Sequence, residues 1–252
     1  MDINKNHRSW DTYSSEYYSM SEFDDSLVHL GLGLPGIEAS MFVGAHMKIL
    51  DVGCGDGTNT MLMAWETDGS VVGIDVASDA INLAKDKVIR KDVSFECRDF
   101  FSFVDNNNGC FDLITFIGSI DYMELNDFFF QGLNKITTSK SRCLVSKFHP
   151  FWTTLYANDV DSEQMYTYFD NGRRDAVSYG TSPSNEFERF HYTIGYLIES
   201  FKNYGWSICK FLEPRPDFSN SAFTYRGYTS DEIMISRLSR IPMTLVLELV
   251  RE

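Results

Sequence analysis

Helices packed on both faces of a mostly parallel sheet, a three-layer α/β sandwich, are the fold class that this sequence predicts. Three observations carry the expectation. Strand-like and helix-like runs alternate through the middle of the chain. A glycine-rich turn follows the first apolar run directly, and acidic residues stand at the ends of successive strand-like runs.

Residues 47–52 form a short apolar run stopped by glycines, the first strand, and 58–65 are compatible with a helix. Residues 70–76 read as the second strand, followed by Ser78 as N-cap of a helix that reaches about Lys87. The third strand is expected at 93–97, the fourth at 111–118, a helix at 126–136 and the fifth strand at 142–148. From 151 to 187 the chain is aromatic and polar without clean periodicity. It carries turn signals at Asp170-Asn171-Gly172 and Ser182-Pro183, as suits a long excursion over one face of the sheet. A helical period returns at 193–204, with Ile194, Leu197, Ile198 and Phe201 on one side, and Gly205 ends it. Strands at 206–212 and 244–250 complete the pattern.

Residues 1–45, with Trp10, Tyr13, Tyr17 and Tyr18 and a glycine-rich stretch near 30–36, suggest a helical cap over a pocket; the alternative is that these aromatics pack against the sheet. The expected organisation is one domain: cap or lid (1–45), cofactor-binding core (46–150), substrate-side insertion (151–187) and completion of the sheet (188–252).

At 252 residues the chain suits one large α/β domain better than two. A net charge of −14 argues against nucleic acid or an anionic membrane as partner, because such binders neutralise phosphates with Lys and Arg. Five scattered cysteines without a C-x-x-C pair suit reduced thiols rather than a zinc or disulfide framework. The first ten residues are polar, unlike a signal peptide, and no window reaches the roughly 18 apolar residues of a membrane span. A cytoplasmic location is therefore expected.

The most informative stretch is Ile49-Leu50-Asp51-Val52-Gly53-Cys54-Gly55-Asp56-Gly57-Thr58. Its glycines permit a tight strand-to-helix turn and close approach of a ligand to the backbone. A dinucleotide loop wants G-x-G-x-x-G/A, whereas Thr58 stands at the last position here. Asp51 before the loop suits a ligand with a positive amino group and repels a pyrophosphate. Asp75, ending Val71-Val72-Gly73-Ile74-Asp75, is placed to accept hydrogen bonds from ribose hydroxyls. Asp99, beside Phe100, is placed to meet an adenine amino group and flank the base. The alternative is that each acid caps a neighbouring helix or turn.

With loop, acids and the Phe111-Asp112-Leu113-Ile114 strand in this order, the chain resembles the class I S-adenosylmethionine-dependent methyltransferases over residues 47–148. The resemblance implies a Rossmann-like, seven-stranded sheet whose last strand, antiparallel, is supplied by 244–250. It implies that Gly53, Cys54, Gly55 and Gly57, with Asp51, hold the methionine part of the cofactor. Asp75 and Val76 then bind the ribose, Asp99 and Phe100 the adenine, and Ile117 and Tyr122 complete the cofactor contacts. Further stretches are similar to a bacterial group acting on natural products and small metabolites. Trp10-Asp11 with Tyr17 resembles an N-terminal helix whose tyrosine closes over the cofactor. His149-Pro150-Phe151, Tyr168-Phe169-Asp170, Phe190-His191-Tyr192-Thr193 and Leu212-Glu213-Pro214-Arg215-Pro216 also follow that group. Related enzymes commonly carry a His pair where this chain has Asp121 and Tyr122.

The activity implied is methyl transfer to oxygen, nitrogen or carbon of a small molecule. Two alternatives stay open: aminocarboxypropyl transfer or cyclisation with the same cofactor, and cofactor binding without turnover. His191, ahead of a helix, is the first candidate for general base, His149 the second and Asp121 the third; Asp121 has the alternative of binding an amine substrate. Tyr13, Trp152, Tyr156 and Tyr166 are expected to line the acceptor pocket. His7, His29 and His46 read as surface or lid residues, and no ligand cluster predicts a metal. The expected partner is a small molecule, with a homodimer left open.

Overall fold

The computed structural model describes residues 3–31, 33–160, 166–175, 187–219, 223–225, 235–236 and 239–252. Helix α1 (Ile3–Met20) and strand β1 (Ser21–Phe23) come first. The core then runs β2 (Ile49–Val52), α2 (Thr58–Glu66), β3 (Val71–Asp75), α3 (Ser78–Asp86), β4 (Val93–Cys97) and α4 (Phe100–Asn106). It continues with β5 (Phe111–Ile117), a 3-10 turn (Ile120–Tyr122), α5 (Asp127–Lys135) and β6 (Thr137–Phe148). Next follow α6 (Pro150–Val160), β7 (Gly172–Asp175), β8 (Glu188–His191) and α7 (Ile194–Asn203). Strands β9 (Trp206–Leu212), β10 (Phe223–Tyr225) and β11 (Thr244–Arg251) complete the set.

One sheet has the order β4-β3-β2-β5-β6-β11-β9. The strands from β4 to β6 are parallel neighbours, whereas β11 is antiparallel to both β6 and β9. This is the seven-stranded, mostly parallel Rossmann-like sheet that the sequence predicts. From β2 the chain winds outward to β4 on one side, then returns to β5 and winds outward on the other. At such a switch point the connections diverge and open a crevice beyond the carboxyl ends of the strands.

Central strands covered on both faces are apolar throughout, and β2 is buried at every position. Successive side chains serve opposite layers: Leu50 and Val52 join Phe103, Phe129, Leu133 and Phe201 on one face. Ile49 joins Met61, Met63, Ile81 and Ala84 on the other.

Several details differ from the sequence reading. Helix α4 was not expected; Asp99 is its N-cap, accepting the Ser102 amide at 3.0 Å. Helix α6 occupies part of the supposed excursion, with Pro150 as its first residue, where the missing N–H costs nothing. Its aromatic and Thr-rich composition hid it. Ser78 lies inside α3 rather than capping it: its amide and hydroxyl donate to Asp11 of α1, at 2.7 and 3.0 Å. The 1–45 cap divides in two. Helix α1 meets α3 through Asp11, while Val28, Leu34, Phe42 and Val43 are core residues packed with α2 and α3. The Ser182-Pro183 turn lies outside the described residues.

Candidate active site

Between β2 and α2 the chain makes the glycine turn. The Gly53 and Cys54 amides donate to the Ile74 carbonyl at 2.8 and 3.0 Å, tying the loop to the tip of β3. Asp75 accepts from the Gly55 amide at 2.9 Å and from the Ala77 amide at 2.9 Å, so its carboxylate stands between loop and α3. Burial raises its pKa, and these amide bonds oppose the rise. At Gly55, with φ of +57°, a Cβ would come within 2.1 Å of the Tyr18 hydroxyl. Only glycine permits that approach.

A cavity of about 340 Å³ extends from this loop along the carboxyl ends of the parallel strands. At the β4 end it is lined by Asp99 and Phe100, at β3 by Asp75 and Val76, and at β2 by Gly53, Cys54 and Gly55. Ile117 and Tyr122 follow at β5, then Lys147 and Phe148 at β6. Helix α1 roofs it with one face: Asn6, Trp10, Tyr13 and Tyr17 recur at helical spacing. Trp10 meets Tyr17 and Tyr122 edge-on, with centroids 6.0 and 5.4 Å apart. Tyr18 accepts the Asp56 amide at 3.1 Å, and burial with Asp75 and Asp56 nearby raises its pKa well above the usual tyrosine value. Sequence reasoning singled out Tyr17 as the closing tyrosine; both line the cavity, and the Tyr18 hydroxyl is bonded to the loop.

Two expected cofactor residues lie elsewhere. Asp51 is buried beneath the loop, accepting from the Thr60 and Thr115 hydroxyls at 2.5 and 2.7 Å; it braces the turn rather than lining the cavity. Gly57 sits against Phe95 and Ala84, where a Cβ would clash, so its role is packing. Cys54 does line the cavity, and burial raises its thiol pKa well above the usual value, which keeps it protonated.

None of the three candidate bases lines the cavity. His191 bonds at both nitrogens, Nε2 to the Tyr168 carbonyl at 2.9 Å and Nδ1 to the Thr153 hydroxyl at 3.2 Å. Burial lowers its pKa to about 4, helped by the charges of Arg174 and Lys147. His149 accepts the Phe151 amide at Nδ1 (3.1 Å) and donates from Nε2 to Glu213 (2.8 Å); burial lowers its pKa too. Asp121 is half of a buried ion pair, 2.7 Å from Lys147 Nζ, and accepts the Phe148 amide at 2.9 Å. These groups are already committed to holding structure. His7 and His29, set aside in the sequence reading, are the imidazoles that line the cavity among the described residues.

Of the expected acceptor-side aromatics, Tyr13 lines the cavity, whereas Trp152 and Tyr166 do not. Trp152 is buried in α6, and Tyr166 lies under the Arg174 guanidinium, 4.9 Å from centroid to Cζ. The Tyr156 side chain lies outside the described residues. Arg189, Gly118 and Ser14 are lining residues that sequence reasoning passed over, since none carries a local motif.

The cavity suits a nucleoside-bearing amino acid. Asp56, Asp75 and Asp99 stand along it, and the buried Ser14 hydroxyl on its wall has no hydrogen-bond partner among the described residues. Opposite Gly118, whose φ is +73°, a Cβ would meet nothing within 4 Å, so open space faces the backbone there. Among the described residues no group of three His, Cys, Asp or Glu is placed to hold a metal ion, and no helix is long and apolar enough to cross a membrane.

Fold and cavity together define a class I S-adenosylmethionine-dependent methyltransferase. Residues 44–190 match the family profile described as a methyltransferase domain, and the chain belongs to that family. A search of curated protein sequences finds no match. Among solved structures, the chain is similar to a protein from Listeria monocytogenes classed as an S-adenosylmethionine-dependent methyltransferase. The two are 19% identical, with a TM-score of 0.65, over 97% of this chain and 98% of the other. It is also similar to a cyclopropane synthase from Mycobacterium tuberculosis, at 14% identity and a TM-score of 0.64 over 100% of both chains. A third is the 1,6-didemethyltoxoflavin-N1-methyltransferase of Burkholderia thailandensis, solved with 1,6-didemethyltoxoflavin and S-adenosylhomocysteine. It is 14% identical, with a TM-score of 0.53, over 84% of this chain and 76% of that one. At these identities the likeness is one of fold.

Proposed function

We propose that the protein transfers a methyl group from S-adenosylmethionine to oxygen, nitrogen or carbon of a small-molecule acceptor. The observation that carries this reading is the one roofed cavity that joins Asp99, Asp75 and the glycine loop to the aromatic end at Tyr122 and Phe148. When bound, the cofactor supplies an electrophilic methyl carbon whose leaving group is a neutral thioether. Asp75 would accept from ribose hydroxyls, Asp99 and Phe100 would hold the base, and the turn around Gly53 and Gly55 would cradle the amino-acid end. Tyr122, Phe148 and the α1 aromatics would exclude water and orient the acceptor, the main work in a displacement with so good a leaving group.

Proton removal, where an acceptor needs it, falls to a group on the cavity wall. His29 is the best placed. Asn59 grips its backbone from both sides, accepting the His29 amide at 2.8 Å and donating to its carbonyl at 3.0 Å. His7, by contrast, is partly exposed and stands 3.6 Å from Asp11.

Calorimetric titration of S-adenosylmethionine and S-adenosylhomocysteine into wild type and Asp75→Ala tests the reading. Both ligands are expected to bind, about tenfold or more weakly in the variant, as for loss of charge-assisted hydrogen bonds. Absence of binding to wild type at millimolar ligand overturns the proposal.

A further inference from the structure

We propose that the acceptor carries a carboxylate on an aromatic or apolar body, and that Arg189 is the residue that recognises it. The inference rests on the methyltransferase reading and adds the chemical class of the second substrate. Its starting point is the aim of β8. Asn6 of α1 clamps this strand through both backbone groups of Glu188, accepting its amide at 2.7 Å and donating to its carbonyl at 2.9 Å. Strand alternation then sends Glu188 and Phe190 to a separate cavity beside Arg173, and Arg189 to the wall of the active-site cavity.

There the guanidinium lies over two rings, 4.8 Å from the Phe148 centroid and 5.6 Å from that of Tyr122; Nη2 also donates to the Tyr122 hydroxyl at 3.4 Å. These contacts restrict the guanidinium, whose N–H donors lie in one plane. A planar carboxylate is the ligand group that meets such a fork edge to edge.

The negative charge on the cavity wall is confined to one end. The carboxylates that line it, Asp56, Asp75 and Asp99, stand with Arg98 at the cofactor end, whereas Lys147 and Arg189 line the other. Asp121 stands behind Lys147 and not on the wall. The rest of the acceptor end is Trp10, Tyr13, Met123 and Phe148, which suits an apolar or aromatic body.

The test uses protein saturated with S-adenosylhomocysteine and two matched probes, 4-hydroxybenzoate and its neutral analogue 4-hydroxybenzamide, titrated by calorimetry. Wild type is expected to prefer the benzoate by about tenfold. In Arg189→Gln the preference should vanish, with Arg189→Lys intermediate, while S-adenosylhomocysteine binds all three proteins alike and reports that they are folded. Equal affinity for the probes in wild type overturns the inference, as does a preference that survives in Arg189→Gln. Loss of S-adenosylhomocysteine binding in the variants would assign Arg189 to the cofactor instead, and inorganic phosphate binding as tightly as the benzoate would remove the carboxylate assignment. Failure of wild type to bind S-adenosylhomocysteine strikes the methyltransferase reading itself, a separate result.

Discussion

The Tyr18 hydroxyl rests on the glycine loop, accepting the Asp56 amide at 3.1 Å over the bare Cα of Gly55. Helix α1 and the glycine loop therefore share a hydrogen bond, made over a position where a Cβ would clash. In Tyr18→Phe the ring stays and the bond goes, at a net cost of about 1 kcal/mol. If α1 closes on the ligand, S-adenosylhomocysteine should bind about fivefold more weakly, since 1.4 kcal/mol is tenfold. Unchanged affinity would show that the bond plays no part in the closed state.

The Asp121–Lys147 pair makes a different prediction, about stability. Both side chains are nearly fully buried, so removing one partner strands a charge. Asp121→Ala is expected to lose about 3–5 kcal/mol in urea denaturation, whereas Asp121→Leu with Lys147→Met should recover most of it. A double variant as unstable as the single would mean that the two charges are not coupled.

His191 should show itself in the pH dependence of stability. Its folded-state pKa, about 4, lies below the ordinary histidine value, so the unfolded chain binds the proton more readily. Its contribution is complete above about pH 6.5 and is lost as pH falls toward 4. The loss is about 2 kcal/mol after allowing for solvent screening. His149, shifted in the same direction, adds to it. Replacing His191 by Asn should flatten the stability curve in that window; an unchanged slope would contradict the assignment.

Gly118 offers a steric probe of the cavity. Its φ of +73° makes any side chain costly, by about 1–2 kcal/mol, and the space opposite is open. Gly118→Val is expected to fold with a lowered Tm while filling cavity space and losing ligand binding by calorimetry. Retained binding would mean that the ligand does not pass this point.

Much of the core was legible because its signals are local. Alternation of apolar runs located β2 to β6, and the tips of β3 and β4 could be read from Asp75, which ends its run, and Asp99, two residues past the other. The acceptor end was not legible, because long-range contacts build it. His191, ahead of a helix, and His149, at the end of a strand, looked like bases, but Tyr168, Thr153 and Glu213 consume their nitrogens. Arg189 gained its place from a β7–β8 pairing and from the Asn6 clamp on Glu188, 182 positions away in the chain. Asp51 was misread for a related reason: Thr60 and Thr115 reach it from another helix and strand.

Strand β11 lies between β6 and β9 although it follows both in the chain. During synthesis, then, two strand edges face solvent until residues 244–251 leave the ribosome, and open edges invite pairing with other chains. The protein's vulnerability to aggregation is thus concentrated in the interval before β11 docks, and substitutions that slow this docking should lower soluble yield before they alter any property of the finished enzyme.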